Sequence, residues 1–264
     1  EPTLAHVRKL LNITLGGPVT TSGKISLKAG AWIHDGDTID GSIDLFASGL
    51  RIESGADTGA LGANVDPIET KVNTISADCG GNINIEEVEG IVVDEVEVTV
   101  KRVAANATVS ELTDAVQSDL VSSDGSIVLR TLSGDVTLSN STATNHDIAV
   151  SAGGNVLIEA VDEGTSIIAN AGIVSSGGNI TALADKDITF TAAADINSDG
   201  GSIDVQATGG SITLSATSNQ DAGSGNIRFF AHSNITMGGT AYTSSDISLK
   251  AGAWIQDADT DKGV

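Results

Sequence analysis

The chain contains few cysteine, aromatic and proline residues. There is one cysteine, Cys79, so no disulfide can form within the chain. Aromatic residues make up 3% of the 264 residues, and proline occurs three times. Apolar residues still reach 40%, which argues against disorder. The interior must therefore be filled with Val, Ile, Leu and Ala, and we expect Cys79 to be a small apolar filler among them.

Positive charge is also scarce. Lys and Arg number 13 against 35 Asp and Glu, a formal net charge of −22. Such a surface repels nucleic acid and anionic lipid and attracts cations, so we expect no nucleic-acid partner. No run of about 18 apolar residues exists, so we expect no membrane insertion.

A short pattern recurs along the chain. It consists of three residues, of which the first and the third are apolar. One series begins at Ile25, Ile43, Ile83, Ile127, Val156, Ile180, Ile203, Ile227 and Ile247. A second begins at Ile33, Ile52, Val136, Ile167, Ile188, Ile212, Ile235 and Ile255. Gly pairs stand between many of them, at Gly153-Gly154, Gly177-Gly178, Gly200-Gly201 and Gly209-Gly210. Each triplet predicts a short strand with alternate side chains inward, and the glycines predict sharp corners.

This pattern predicts an all-β protein, a parallel β-helix (β-solenoid) with two or three strands per turn. Residues 1–264 would form one domain of about 11–12 coils, a rod on the order of 55 Å long. An antiparallel sandwich is the alternative, but it lacks a recurring two-strand unit of about 22 residues. Two stretches depart from the pattern. Residues 54–70 predict a long loop, and residues 84–122 predict an enlarged coil or a protruding hairpin.

A long repeat encloses the short one. Residues 12–41 align without gaps with residues 234–263, at an offset of 222 and with 20 of 30 positions identical. The chain therefore contains one full repeat and the beginning of the next. We expect it to continue, either covalently or by head-to-tail stacking of subunits.

A motif within the chain resembles an element of filamentous haemagglutinin-like exoproteins. Its parts are Leu61-Gly62, Pro67-Ile68, Thr70 to Val72, Ser76-Ala77, Gly80-Gly81 and Ile83 to Glu86. The resemblance covers about 30 residues as a motif and most of the chain as a looser pattern. It implies a right-handed parallel β-helix, a place on the surface of a Gram-negative bacterium, and a role as an adhesin or surface filament.

Two acidic turns at equivalent places in the two copies are candidates for calcium binding. Alternate carboxylates followed by Gly can direct several oxygens toward one hard cation. The candidate ligands are Asp257, Asp259 and Asp261 in the second copy and Asp35, Asp37 and Asp40 in the first. No Glu stands at the distance that an EF-hand requires, so a solvated acidic turn is the alternative.

Sugar binding and catalysis are the other functions that the sequence allows us to test. Trp32 and Trp254 hold equivalent positions and, if exposed, can stack on sugar rings; packing at a corner is the alternative. Asn197 to Gly200 is similar to part of a polygalacturonase motif, but the accompanying paired-Asp and Gly-His-Gly elements are missing. We therefore predict no enzymatic activity.

The sequence favours a structural role. We expect a repeat of an extracellular adhesin shaft or cell-surface filament, with further copies of the same repeat as partners. Neighbouring filaments, cell surfaces and glycans are further candidate partners. The alternative is a carbohydrate-binding or polysaccharide-degrading β-helix protein.

Overall fold

The computed structural model describes residues 11–37, 41–141 and 147–258. These residues form 28 β-strands and no helix. The strands of the first coils are β1 (Ile13–Leu15), β2 (Val19–Thr20), β3 (Lys24–Ala29), β4 (Ile33–Asp35), β5 (Leu45–Ser54), β6 (Ile68–Cys79), β7 (Ile83–Glu87) and β8 (Ile91–Val93). A hairpin follows, made of β9 (Val96–Val103) and β10 (Val109–Gln117).

The remainder consists of six regular coils of three strands each. Their strands are β11 (Leu120–Ser122), β12 (Ile127–Thr131), β13 (Val136–Leu138); β14 (Ile148–Ala152), β15 (Val156–Ala160), β16 (Ile167–Ala169); β17 (Gly172–Ser175), β18 (Ile180–Ala184), β19 (Ile188–Phe190); β20 (Ile196–Asn197), β21 (Ile203–Ala207), β22 (Ile212–Leu214); β23 (Gln220–Asp221), β24 (Ile227–Ala231), β25 (Ile235–Met237); β26 (Ala241–Tyr242), β27 (Ile247–Ala251) and β28 (Ile255–Asp257).

Each strand of a regular coil pairs in parallel with the strand three positions later, which defines three sides of a parallel β-helix. Side A carries β7, β12, β15, β18, β21, β24 and β27. Side B carries β8, β13, β16, β19, β22, β25 and β28. Side C carries the end of β6, then β11, β14, β17, β20, β23 and β26. The predicted fold is confirmed.

Inward residues of successive coils stack into ladders, and the outward ones between them are partly exposed. On β21, Ile203, Val205 and Ala207 are buried, whereas Asp204 and Gln206 face outward. The ladder of side A runs through Ile13, Ile33, Thr58, Ile83, Ile127, Val156, Ile180, Ile203, Ile227 and Ile247. One coil cannot bury its own apolar row, so each depends on its neighbours.

The described residues contain fewer coils than the 11–12 that were predicted. Side A has ten rungs, and side C has nine, from Leu27 to Ala241. The step along side A ranges from 20 residues, between Ile13 and Ile33, to 44 residues, between Ile83 and Ile127. The number of coils is lower because the inserted segments lengthen some of them, whereas the prediction assumed one short period along the whole chain.

The two predicted triplet series match sides A and B from residue 127 onward, but not in the first coils. There Ile33 belongs to side A and aligns with Thr58 and Ile83. Ile52 belongs to side C and pairs with Ala77. The strands β5 and β6 continue around a corner without a break, so their triplets do not mark single sides.

The two irregular stretches have distinct structures. Within 54–70, Thr58 bridges to Ile33 and Ile83 in the coil, and Ala60 and Asp66 close a small antiparallel loop. Within 84–122, β9 and β10 leave the solenoid between sides B and C as an antiparallel hairpin. The Arg51 Nε atom donates to the Ala115 carbonyl at 3.0 Å and anchors the base of this hairpin.

Candidate functional site

An acidic cluster lies where β4, the start of β5 and the start of β6 meet. One carboxylate oxygen from each of Asp35, Asp44 and Glu69 lies within 4.8 Å of the other two. Backbone bonds hold two of the residues together: the Asp44 N–H donates to the Glu69 carbonyl at 2.9 Å. The Glu69 N–H in turn donates to Asp44 Oδ2 at 3.2 Å.

Two members of the cluster are deeply buried. Asp44 is 1% exposed and Glu69 is 2% exposed, whereas Asp35 is half-buried. Glu69 Oε1 accepts the Gly41 N–H at 3.1 Å. The other oxygens, Asp44 Oδ1 and Glu69 Oε2, are buried without a hydrogen-bond partner. Unpartnered buried carboxylate oxygens are costly, so the cluster requires a proton or a cation.

The electrostatics of the cluster agree with its burial. Burial raises the pKa of Asp44 to about 8, and the charges of Asp35 and Glu69 act in the same direction. Burial also raises the pKa of Glu69, with the charge of Asp35 adding to the effect. Like charges held close together away from water disfavour ionisation.

The predicted calcium ligands of the first turn are arranged differently from the expectation. The Asp37 N–H donates to Asp35 Oδ1 at 2.9 Å, and Asp37 Oδ2 accepts the Ser42 hydroxyl at 2.6 Å. Asp35 joins Asp44 and Glu69 in the acidic cluster, of which Asp37 is not a member. Asp40 lies outside the described residues.

In the second turn, Asp257 ends β28. Asp259 and Asp261 lie outside the described residues. Asp257 occupies the position of Asp35 one repeat later, because the two differ by the offset of 222.

Sequence reasoning missed Asp44 and Glu69 for a physical reason. Asp44 is the middle residue of the triplet at Ile43, a position that elsewhere faces outward. Here the chain leaves side A after Asp35 and returns at Asp44, and Gly41 of this excursion donates to Glu69. Asp35 and Asp44 therefore lie on either side of an inserted segment, and the alternating pattern does not reveal that they meet.

A second buried carboxyl, Glu87, occupies an inward position at the end of β7. It accepts hydrogen bonds from the Thr70 hydroxyl at 2.8 Å, the Val72 N–H at 2.9 Å and the Glu89 N–H at 3.1 Å. Burial raises its pKa to about 7. These bonds tie the turn after β7 to β6, so the group has a structural role at a corner of the coil.

Both predicted sugar-binding tryptophans are on the surface. Trp32 is 43% exposed and makes an edge-to-face contact with His34, with ring centroids 5.6 Å apart. Trp254 is 58% exposed. The exposure of both rings is compatible with sugar stacking, and the contact of Trp32 with His34 is compatible with packing at a corner, so both expectations stay open.

Cys79 is buried with a free thiol, as expected for an apolar filler. Its Sγ atom lies 3.3 Å from the Thr58 hydroxyl.

The fold defines this chain as a parallel β-helix repeat protein. No protein-family model, curated protein or solved structure matches it. Its likeness to filamentous haemagglutinin-like exoproteins thus stays a prediction from the sequence. In the part of the chain that the structure describes, no helix is long and apolar enough to cross a membrane.

Proposed function

We propose that this chain is a non-catalytic structural repeat of an extracellular adhesin shaft or cell-surface filament, in which copies of the 222-residue unit follow one another along one coil. The observation that carries the proposal is that the described parts of the two copies, residues 12–37 and 234–258, each contain four strands at corresponding places in the sequence. The acidic surface keeps such a shaft soluble.

Two backbone hydrogen bonds recur at equivalent positions in the two copies. The Ile13 N–H donates to the Trp32 carbonyl at 3.0 Å, and the equivalent bond from Ile235 to Trp254 is also 3.0 Å. In the first copy the Gly36 N–H donates to the Leu15 carbonyl at 2.7 Å. Its counterpart from Ala258 to Met237 is 2.8 Å. At these positions the matching sequence is accompanied by matching local structure.

The first copy also supplies the pattern by which the second copy would be continued. In the first, β5 covers β3 in parallel, so Leu27 pairs with Ile52, Lys28 with Glu53 and Ala29 with Ser54. Ile25 is 7% exposed under this cover, whereas its counterpart Ile247 is 45% exposed. Among the described residues β27 pairs with β24 alone, and an open strand edge with apolar side chains invites a further strand. A following copy of residues 45–54 fits that edge in a known register.

A carbohydrate-binding or polysaccharide-degrading protein is the second candidate, supported by the exposure of Trp32 and Trp254. A surface cleft of about 680 Å³ contains Asn84, Glu86 and Arg130, but neither tryptophan lines it. Arg130 is already paired with Glu86 at 3.0 Å and Glu159 at 2.7 Å. The shaft accounts for the repeat, which a sugar site alone does not.

A tandem protein, residues 1–263 followed directly by residues 42–264, tests the proposal. Each added unit contributes eight coils and one further side, about 40 Å of rod. Electron microscopy should show one straight rod lengthened by that amount. Two rods joined at variable angles would contradict the proposal, and saturable binding of the single chain to a glycan array would favour the second candidate.

A further inference from the structure

We propose that Asp35, Asp44 and Glu69 form a binding site for a hard divalent cation of the calcium class, which joins two adjacent coils. Asp35 and Asp44 belong to one coil, and Glu69 belongs to the next. The site differs from the linear turn that the sequence indicated, because its ligands come from three separate strands or strand ends.

The ligand chemistry fits such a cation. Carboxylate oxygens are the preferred ligands of calcium, which binds them at about 2.4 Å, so two oxygens on one ion are separated by up to about 4.8 Å. The three oxygens here satisfy that limit. Two buried oxygens, Asp44 Oδ1 and Glu69 Oε2, have no hydrogen-bond partner, and a bound cation would supply one.

The competing occupant is a proton shared between the carboxyls. A proton neutralises one charge, but three carboxylates this close retain further repulsion, whereas one divalent cation neutralises two. The two occupants are distinguished by titration with the cation, because a site that accepts only a proton gives no saturable binding of calcium.

Calorimetric titration of the full chain with CaCl₂ at pH 7.5, after removal of metal by a chelator, tests the site. We expect a heat of binding that saturates at one ion per chain. Asp44→Asn and Glu69→Gln should each weaken binding at least about tenfold, a loss typical of removing a charged ligand. The matched control Asp124→Asn removes an exposed charge elsewhere and should leave binding unchanged.

The melting temperature of each variant without metal shows whether the substitution impairs folding or only the binding of calcium. Removing one of three repelling carboxylates should leave this temperature unchanged or raise it, while the increase caused by calcium disappears. The site is refuted if the native chain shows neither heat nor a melting shift with CaCl₂ up to about 10 mM, above the range of weak extracellular calcium sites. It is equally refuted if both variants bind as the native chain does.

The second copy places Asp257 where the first places Asp35, and a following unit would contribute the Asp44 and Glu69 positions. This step rests on the proposed function. The tandem protein should then bind two ions instead of one. One ion in both proteins would refute the continuation of the coil while leaving the first site intact.

Discussion

Gly225 lies directly against the backbone of Gly201 in the preceding coil, so that a Cβ atom on Gly225 would lie 2.0 Å from the Gly201 carbonyl oxygen. The same relation holds one coil earlier, where a Cβ on Gly201 would lie 2.0 Å from the Gly178 carbonyl oxygen. Glycine is required at these positions because the backbones of neighbouring coils lie too close together to leave room for a side chain. A positive φ occurs instead at the preceding glycines Gly177 (+93°) and Gly200 (+108°).

Gly201→Ala should therefore destabilise the protein by about 1–3 kcal/mol, the usual cost of forcing extra volume into a packed interior. Gly16→Ala is the matched control, because nothing lies within 4 Å of a Cβ at that position, and its effect should stay within about 0.5 kcal/mol. Equilibrium urea denaturation measures both. Equal effects of the two substitutions would contradict the stacked-corner explanation.

The ladder of side A makes a second prediction. Ile203 is 1% exposed and lies between Ile180 and Ile227 of the neighbouring coils. Ile203→Ala should cost about 2–5 kcal/mol, since it removes buried methyl groups and leaves a cavity. Thr181→Ala, an outward position on the adjacent strand, should change stability by no more than about 0.5 kcal/mol. If Ile203→Ala proved as mild as this control, the residue would not be part of the core.

Much of the fold could be predicted because burial on a strand alternates with period two. That alternation identified the ladders through Ile180, Ile203 and Ile227, and through Ile188 and Ile212. Side C was not recognised as a separate series, because its strands β20, β23 and β26 are only two residues long and are too short to show an alternating triplet.

The candidate site could be predicted only in part. Asp35 was found because it lies in an acidic turn that recurs 222 residues later. Its partner Glu69 is 34 positions away along the chain, and their meeting depends on the length of the coil between them. A pattern of local spacing cannot reveal a contact between two coils.

Stability should depend on pH through the buried carboxyls with a raised pKa, chiefly Asp44 and Glu87. In the folded state the pKa is about 8 for Asp44 and about 7 for Glu87, against ordinary values of 3.8 and 4.5. The folded chain thus holds protons that the unfolded chain releases between about pH 4 and 8. Their contribution to stability is complete below pH 4 and is lost as the pH rises to 8, by up to about 1.4 kcal/mol per pH unit for each group.

The free energy of unfolding without metal, measured at pH 5, 6, 7 and 8, should fall across this series. Asp44→Asn should make the fall shallower, because the amide does not titrate. Lys28 and Arg51 lower the pKa of Glu53 despite its burial. This group therefore changes its charge below the pH range of the series and does not affect the comparison. A free energy that rises from pH 5 to 8 would show that neither carboxyl is held protonated.

The junction between repeats provides the last prediction. In the first copy Lys28 Nζ lies 2.7 Å from Glu53 Oε1, on neighbouring coils. Lys250 holds the position of Lys28 in the second copy, and its ammonium group lies 5.3 Å from the centre of the Phe230 ring. In the tandem protein, Lys250 should meet Glu53 of the second unit in the same register.

Zero-length cross-linking with a carbodiimide, which joins an amine to a carboxyl in direct contact, measures this pairing. Mass spectrometry of the tandem protein should find a Lys250–Glu53 cross-link beside the Lys28–Glu53 cross-link, with comparable yield, because both pairs would occupy equivalent positions. The single chain at low concentration should give the Lys28 product without the Lys250 product, and Lys250→Gln in the tandem protein should remove the latter selectively. A tandem protein that yields the Lys28 cross-link alone would show that the second unit does not continue the coil in the register of the first, since the internal pair proves that the chemistry worked.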